Sequence, residues 1–410
     1  LPRPQVAGDP PVDAVRAIIA EVRQGGDSAL RALTERFDGV RIDDIRVPVA
    51  ALTGALSTIG DELREALEVA RASIEAYHRT QLHPDHTHER DGVTVRELVR
   101  PVGRAGLYVP GGRARYPSTV LMTAVPARVA GVPELVLCVP PGPDGSVPAA
   151  TLAAAALAGV DEVYRVGGAQ AVAAMAYGTE SVRPVDVIVG PGNIYVSLAK
   201  QEVAGVVGIP SAFAGPSEVV VVADGSTPAD LAAIDVIVQA EHGPDGLAWL
   251  VTWSPETADA VSEAVARLVA GAPRRQEIES TLRDGGYAVV VDGPEQAMAV
   301  ANAIAPEHLE LMTSDPEALL AMVRSAGAVF TGVFAPASVG DYLAGPNHVL
   351  PTYGSARFAS ALRVDDFLKH IHVVSLEAAA LEKVAPHVEA IAEAEGLSAH
   401  AASVRMRRNG

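Results

Sequence analysis

From about Leu107 the chain settles into a strand–helix alternation, and no other feature narrows its fold as much. Apolar, β-branched runs at residues 135–139, 162–166 and 185–189 alternate with helical stretches at 149–158, 169–177 and 194–203. A second set follows, with strands at 218–223, 247–253, 287–292 and 328–331 and helices at 228–241, 255–270 and 295–305. Strands apolar on both faces and separated by helices imply parallel sheets covered on each side. The pattern predicts an α/β protein with two doubly wound, incomplete Rossmann-like parallel-sheet domains. A crevice between two such domains is the usual place for a ligand.

The flanks read differently. Residues 1–105 form a mainly helical segment, with apolar residues at helical spacing over 12–23, 27–37 and 59–77 and breaks at Gly25-Gly26 and Asp38-Gly39. Residues 94–109 then read as extended. The first α/β domain is placed at 106–215, the second at 216–355, and a C-terminal helical tail at 356–410. Within the tail, 375–408 is helical and rich in Ala and Glu, which fits a helix that leaves the body, a coiled coil or a surface helix equally well. A length of 410 residues exceeds one ordinary core and predicts two or three domains. The formal charge of −18 argues against a nucleic-acid groove, which needs a basic face.

Lone Cys138 leaves no pair for an intramolecular disulfide and fits a reducing compartment. It sits in an apolar run, so it reads as a packed thiol rather than a nucleophile. No apolar run is long enough to span a bilayer, the nearest being 147–160. Asp9, Asp13, Arg16, Glu21 and Arg23 make the first residues charged and amphipathic, unlike a secretory signal, and a cytoplasmic location is expected.

Several motifs carry chemistry. Ala305-Pro306-Glu307-His308-Leu309-Glu310-Leu311 places a carboxylate and an imidazole side by side at a helix-to-strand junction, which can aim both into a cleft. Glu and His are the commonest residues for moving protons near neutral pH. Gln239 and His242 lie three residues apart at a helix end, roughly 60° apart on one face, so an amide oxygen and an imidazole can reach one metal ion. Ile234, Ile237 and Val238 set that helix against a core. In Asp341-Tyr342-Leu343-Ala344-Gly345-Pro346-Asn347-His348, read as a loop, Gly and Pro fix a turn that brings Asp341 and His348 together.

Gly190-Pro191-Gly192-Asn193 and Gly167-Gly168-Ala169-Gln170 each follow a strand and open a helix, where backbone N–H groups suit a phosphate. Neither is a G-x-G-x-x-G fingerprint. His83-Pro84-Asp85-His86-Thr87-His88 has metal-like spacing, but with Glu89, Arg90 and Asp91 beside it and no apolar wall it reads as a solvated loop.

With these motifs in this order, the chain resembles the histidinol dehydrogenase family from about residue 10 to its end. The matching stretches are 106–112, 116–122, 166–178, 189–195, 214–218, 239–242, 305–311, 341–348 and 354–358. The resemblance implies a zinc site made by Gln239, His242 and Asp341, with His400 given by the partner subunit's tail, and hence an obligate homodimer. It implies that Glu307 and His308 are the acid–base pair, and that Ser217, His348 and Glu395 contact substrate. Gln239, His242, His308, Asp341 and His400 would border it too. Tyr108, Gln170 and Asn193 match positions that touch NAD.

The implied reaction is a four-electron oxidation of L-histidinol through histidinal to L-histidine, using two NAD, the last steps of histidine biosynthesis. His308 would act as base toward the alcohol and Glu307 toward the water that hydrates the aldehyde. Zinc accepts N and O ligands and leaves positions open for substrate.

Two stretches depart from the family pattern. Residues 208–213 lack an acidic residue after the Ile and run one residue longer, and Arg113 and Arg115 put charge in the Gly-Gly loop. Three other functions compete: a related zinc and NAD enzyme acting on a different amino or polar alcohol, a zinc hydrolase with Glu307 activating water, and a non-catalytic metal-binding dimer. His348 and Glu395 favour histidinol over another alcohol, the Gly-rich turns weigh against a hydrolase, and the Glu307–His308 pair against a non-catalytic protein.

Overall fold

The computed structural model describes residues 10–111, 115–212, 215, 217–241 and 246–408. Helices α1 (Val12–Asp38), α2 (Val49–Gly54) and α3 (Asp61–Arg79) precede strands β1 (His86–Arg90), β2 (Val93–Pro101) and β3 (Arg104–Tyr108). Next come α4 (Pro117–Val129), β4 (Glu134–Cys138), α5 (Ala149–Leu157), β5 (Glu162–Tyr164), α6 (Gly168–Tyr177), β6 (Val187–Val189) and α7 (Ile194–Val203). The alternation continues through β7 (Glu218–Ala223), α8 (Ala229–Ala240), β8 (Leu247–Thr252), α9 (Pro255–Ala270), α10 (Arg275–Gly285), β9 (Gly286–Val290) and α11 (Pro294–Ile304). It ends with β10 (His308–Met312), α12 (Pro316–Leu320), β11 (Ala328–Thr331) and α13 (Ala337–Tyr342). Strand β12 (Leu368–Leu376) and helices α14 (Ala378–Ala394) and α15 (Ser398–Arg408) follow.

The chain divides into two compact units, Leu1–Gln81 with Gly103–Phe367 and Leu82–Val102 with Leu368–Gly410. The first unit holds both parallel sheets. One has the order β5-β4-β3-β6 and the other β11-β10-β7-β8-β9, with every pairing parallel. The continuous apolar runs follow from burial on both faces. On β7, Val219 and Val221 pack with residues of α8 and α9, while Val220 and Val222 pack with residues of α11. In the four-stranded sheet α6 and α4 both pack on β3, and α1 lies on α6 and α7. The second unit pairs β1, β2 and β12 as an antiparallel sheet and adds the α14–α15 hairpin.

The structure corrects several local expectations. Gly26, at φ 52 and ψ −133, kinks α1, so the two expected helices run on from each other without a connecting loop. Residues 86–88 are not loop but part of β1, an exposed edge strand with His86 opposite Glu97. Its polar side chains give no apolar alternation to read. Helix α4 escaped notice because nearly all of it is buried and Pro126 interrupts it; an all-round apolar helix lacks a polar face. Ser375 and Leu376 belong to β12, and the tail's helical stretch breaks around Gly396, whose φ is 73. Ile237 is buried as expected, but Ile234 is exposed, and Ala232, Ala233 and Val236 join Ile237 in the core.

Cys138 ends β4 with 1% of its surface exposed, and burial pushes its thiol up to about 12. A thiol reagent is therefore expected to leave the folded protein unlabelled and to titrate one thiol after denaturation, read by mass. Among the described residues, no helix is long and apolar enough to cross a membrane.

Candidate active site

Helix α11 stops at Ala305, which takes the left-handed conformation at φ 50 and donates its N–H to Ala301 O at 2.9 Å. Pro306 cannot prolong the helix, and the chain turns into β10. The turn is pinned from the neighbouring strand: Gly327 N–H donates to Pro306 O and Ala328 N–H to Glu307 O, both at 2.9 Å. Gly327 is needed there, since a Cβ would fall 2.6 Å from Glu307 O. The helix-to-strand junction expected around Glu307 and His308 is thus present.

Both side chains are buried and clamped by one residue, Glu218 at the start of β7. Its N–H donates to Glu307 Oε2 at 3.0 Å, and its carbonyl lies 3.2 Å from His308 Nδ1. A carbonyl only accepts, so Nδ1 carries the proton and Nε2 faces Asp341 Oδ1 at 3.3 Å. The Phe330 ring stacks on His308 with centroids 6.0 Å apart. Burial pushes Glu307 up to about 7, against the pull of His308. Burial alone would lower His308, but Glu307 and Asp341 outweigh it and raise the imidazole to about 9.

Asp341 lies in the last turn of α13 rather than in a loop. The turn after it does bring His348 close, as expected: His348 Nδ1 is 2.8 Å from Asp341 O, and Nε2 is 3.3 Å from Thr119 Oγ1 on α4. Asp341 and His348 also line a cleft of ≈ 430 Å³ with Phe330, Asn347 and Tyr77. Glu307 and His308 do not line it, so this pair lies outside that cleft.

Gln239 lies in the last turn of α8 and is 1% exposed, with neither Oε1 nor Nε2 bonded to any described residue. Burying an unpaired amide costs about 1–3 kcal/mol per group, so this side chain is shaped for a missing partner. An amide oxygen that no described residue bonds suits a metal that takes N and O ligands, as zinc does. His242 lies outside the described residues. His400 and Glu395 belong to the second unit, where both are exposed; Glu395 caps α14 and His400 lies in the first turn of α15.

The position on the second sheet departs from the usual rule. Ligands of doubly wound sheets sit outside the carboxyl ends of the strands. Here Glu218 and His308 open their strands, and Ser217 O accepts from Leu247 N–H at the start of β8 at 3.0 Å. The group therefore gathers at the amino edge, where the helix between β7 and β8 returns and delivers Gln239.

The first sheet follows the rule. Its strand order reverses between β3 and β6, whose carboxyl ends carry Tyr108 and Gly190. The Tyr108 hydroxyl accepts from Gly168 N–H at 3.0 Å, linking that edge to the α6 turn that holds buried Gln170. Asn193 is exposed and caps α7 through Val196 N–H at 3.2 Å. Lys200, fully buried and pushed down to about 8, bonds Gly190 O and lies 3.4 Å from Ser211 O. It thus ties the Gly190 turn to the divergent 208–213 stretch. Arg113 lies outside the described residues, and Arg115 is exposed.

A Cβ on Gly190, at φ 109, would fall 2.0 Å from Tyr108 O. Gly190→Ala is therefore expected to cost at least about 2–3 kcal/mol, seen as a lowered urea midpoint. Glu218 and Phe330 contact the Glu307–His308 pair in ways that sequence reading did not assign. A buried carboxylate opening an apolar strand was the available signal for Glu218.

A profile of the family described as histidinol dehydrogenase matches residues 1–408. A histidinol dehydrogenase of Parasynechococcus marenigrum (strain WH8102) is 52% identical over 394 residues, spanning 96% of this chain and 90% of its own. One from Moorella thermoacetica is 50% identical over 398 residues, spanning 96% of this chain and 93% of its own. The crystal structure of histidinol dehydrogenase from Elizabethkingia anophelis superposes with a TM-score of 0.95 at 36% identity, over 99% of this chain and 94% of that one. Backbone, sequence and profile agree over nearly the whole length, and the chain belongs to the histidinol dehydrogenase family of oxidoreductases.

Proposed function

We propose that this protein oxidises L-histidinol through histidinal to L-histidine, using zinc and two NAD. Gln239, His242 and Asp341 would hold the metal together with a partner chain's His400, in a homodimer. Ser217, His348 and Glu395 would contact the substrate, and Tyr108, Gln170 and Asn193 would border NAD. The metal supplies a Lewis-acid anchor for the substrate's nitrogens, and NAD supplies the hydride acceptor.

The observation that carries the reading is the buried Glu307–His308 pair with Asp341 against His308, at the sheet edge to which α8 delivers the buried Gln239 amide, which no described residue bonds. His308 holds its Nδ1 proton against Glu218 O, so the alcohol proton goes to Nε2. Glu307 and Asp341 together raise the imidazole. Asp341, if it held the metal, would act less strongly on His308 and leave Nε2 open to accept a proton. Glu307, poised near neutrality by burial, then takes the proton from the water that adds to the aldehyde. Burial of both groups keeps bulk water from competing.

NADH formation from L-histidinol before chelation, after it and after zinc return tests the reading. Two NADH per substrate, lost with chelator and restored by zinc, is the expected result. Zinc-dependent turnover of another amino or polar alcohol but not histidinol would move the substrate. No NADH from any alcohol would remove the dehydrogenase reading.

A further inference from the structure

Two buried carboxyls next to the site take no part in the proposed proton transfers: Asp235 on α8 and Glu310 on β10. Asp235 stands four residues before Gln239, so the two share a helix face. Glu310 stands two residues beyond His308 and so points to the same face of β10. That is the face on which Met312 packs with residues of α8. Glu310 Oε1 accepts from Ala337 N–H at 3.0 Å. Ala337 opens α13, the short helix that ends with Asp341 in its last turn. The same helix is pressed onto β11: Phe330 pairs in register with Glu310, and a Cβ on Gly340 would come 2.4 Å from the Phe330 ring.

Glu310 Oε2 is buried too, and no N–H or hydroxyl of the described residues reaches it. The carboxyl of Asp235 faces it. Two carboxyl groups bond to each other only with a proton between them, and burial raises both, Glu310 up to about 9 with Asp235's charge adding to the effect. A buried acid pair is a poor source of stability, since apolar residues of similar volume often do as well or better. Its placement between α8 and the start of α13 suggests another use.

We infer that Glu310 is a positioning residue for the metal site: bonded to Ala337 and paired with Asp235, it braces α13 and α8 so that Asp341 and Gln239 meet at one ion. This rests on the zinc reading above. Groups that orient metal ligands typically change metal affinity about 10–100-fold when lost.

The test is zinc affinity of the full, metal-stripped chain, measured by competition with a chromogenic chelator, with circular dichroism confirming the fold. Glu310→Gln keeps an oxygen for Ala337 N–H and offers Asp235 an N–H in place of the shared proton, so its affinity should stay within about threefold of the unaltered chain. Glu310→Leu removes both bonds and should weaken zinc by about 10–100-fold. Glu310→Asp keeps the charge but loses a methylene of reach, and should weaken zinc in the same direction. Should Glu310→Leu fail to fold, Glu310→Asp against Glu310→Gln decides, and equal affinities would overturn the brace.

Asp341→Ala separates the two ideas. If it binds zinc like the unaltered chain, the ligand reading falls and the brace with it. If it loses zinc while Glu310→Leu stays within about twofold, the brace alone falls.

Discussion

Glu307→Gln is expected to yield one NADH per histidinol at a near-normal rate and then to stall with aldehyde on the enzyme. Glutamine keeps an oxygen that accepts from Glu218 N–H, the bond that fixes Glu307 at 3.0 Å, so the frame around His308 should hold. It cannot take a proton from water. Losing a positioned general base typically costs about 10²–10⁴-fold, and here the loss should fall on the second oxidation alone. Burial pushes Glu307 up to about 7, so its basic form grows as pH rises through that value. In the unaltered protein the second half-reaction should accelerate across that range, and in Glu307→Gln that limb should vanish. Single-turnover counting of NADH, with an aldehyde trap, reads both effects. Two NADH at an undiminished second rate would remove Glu307 from the mechanism.

The same pair shows what a sequence can and cannot disclose. Continuous β-branched runs at β4, β7, β8 and β10 announce parallel sheets because those strands are buried on both faces. Pro306 after a helical run marks the junction that aims Glu307 and His308. Glu218 was not legible as their clamp, because it acts through its backbone N–H and C=O, which every residue carries. Glu310 escaped for a related reason: one acidic residue in an apolar strand gives no sign of the helix start it will bond.

The placement of the site was also hidden. Helix periodicity put Gln239 at the end of α8, but only the strand order shows that this end returns to the amino edge of the sheet. Asp341 lay in a stretch whose Gly and Pro suggested a loop, whereas α13 is a single short helix pressed onto Phe330. Helices this short carry too few residues for a periodic signal.

Mixing two inactive chains should restore activity. In the proposed dimer each site takes Gln239, His242 and Asp341 from one chain and His400 from the other. Asp341→Ala and His400→Ala should each be inactive alone. A mixed dimer then holds one site with both defects and one with neither. Random pairing of equal amounts makes about half the dimers mixed, so about a quarter of full activity should return. If His400 served its own chain, every site in the mixed dimer would carry one defect and nothing would return.

His400 suits this test because its replacement should not disturb the fold. It is exposed on α15, which is held to α14 by Arg405 with Glu389 at 2.7 Å and Arg408 with Glu382 at 3.0 Å. Alanine is a good helix former, so the helix should persist. Co-expressed chains with different affinity tags, purified through both, isolate the mixed dimer. Full activity in His400→Ala alone would instead remove His400 from the metal site.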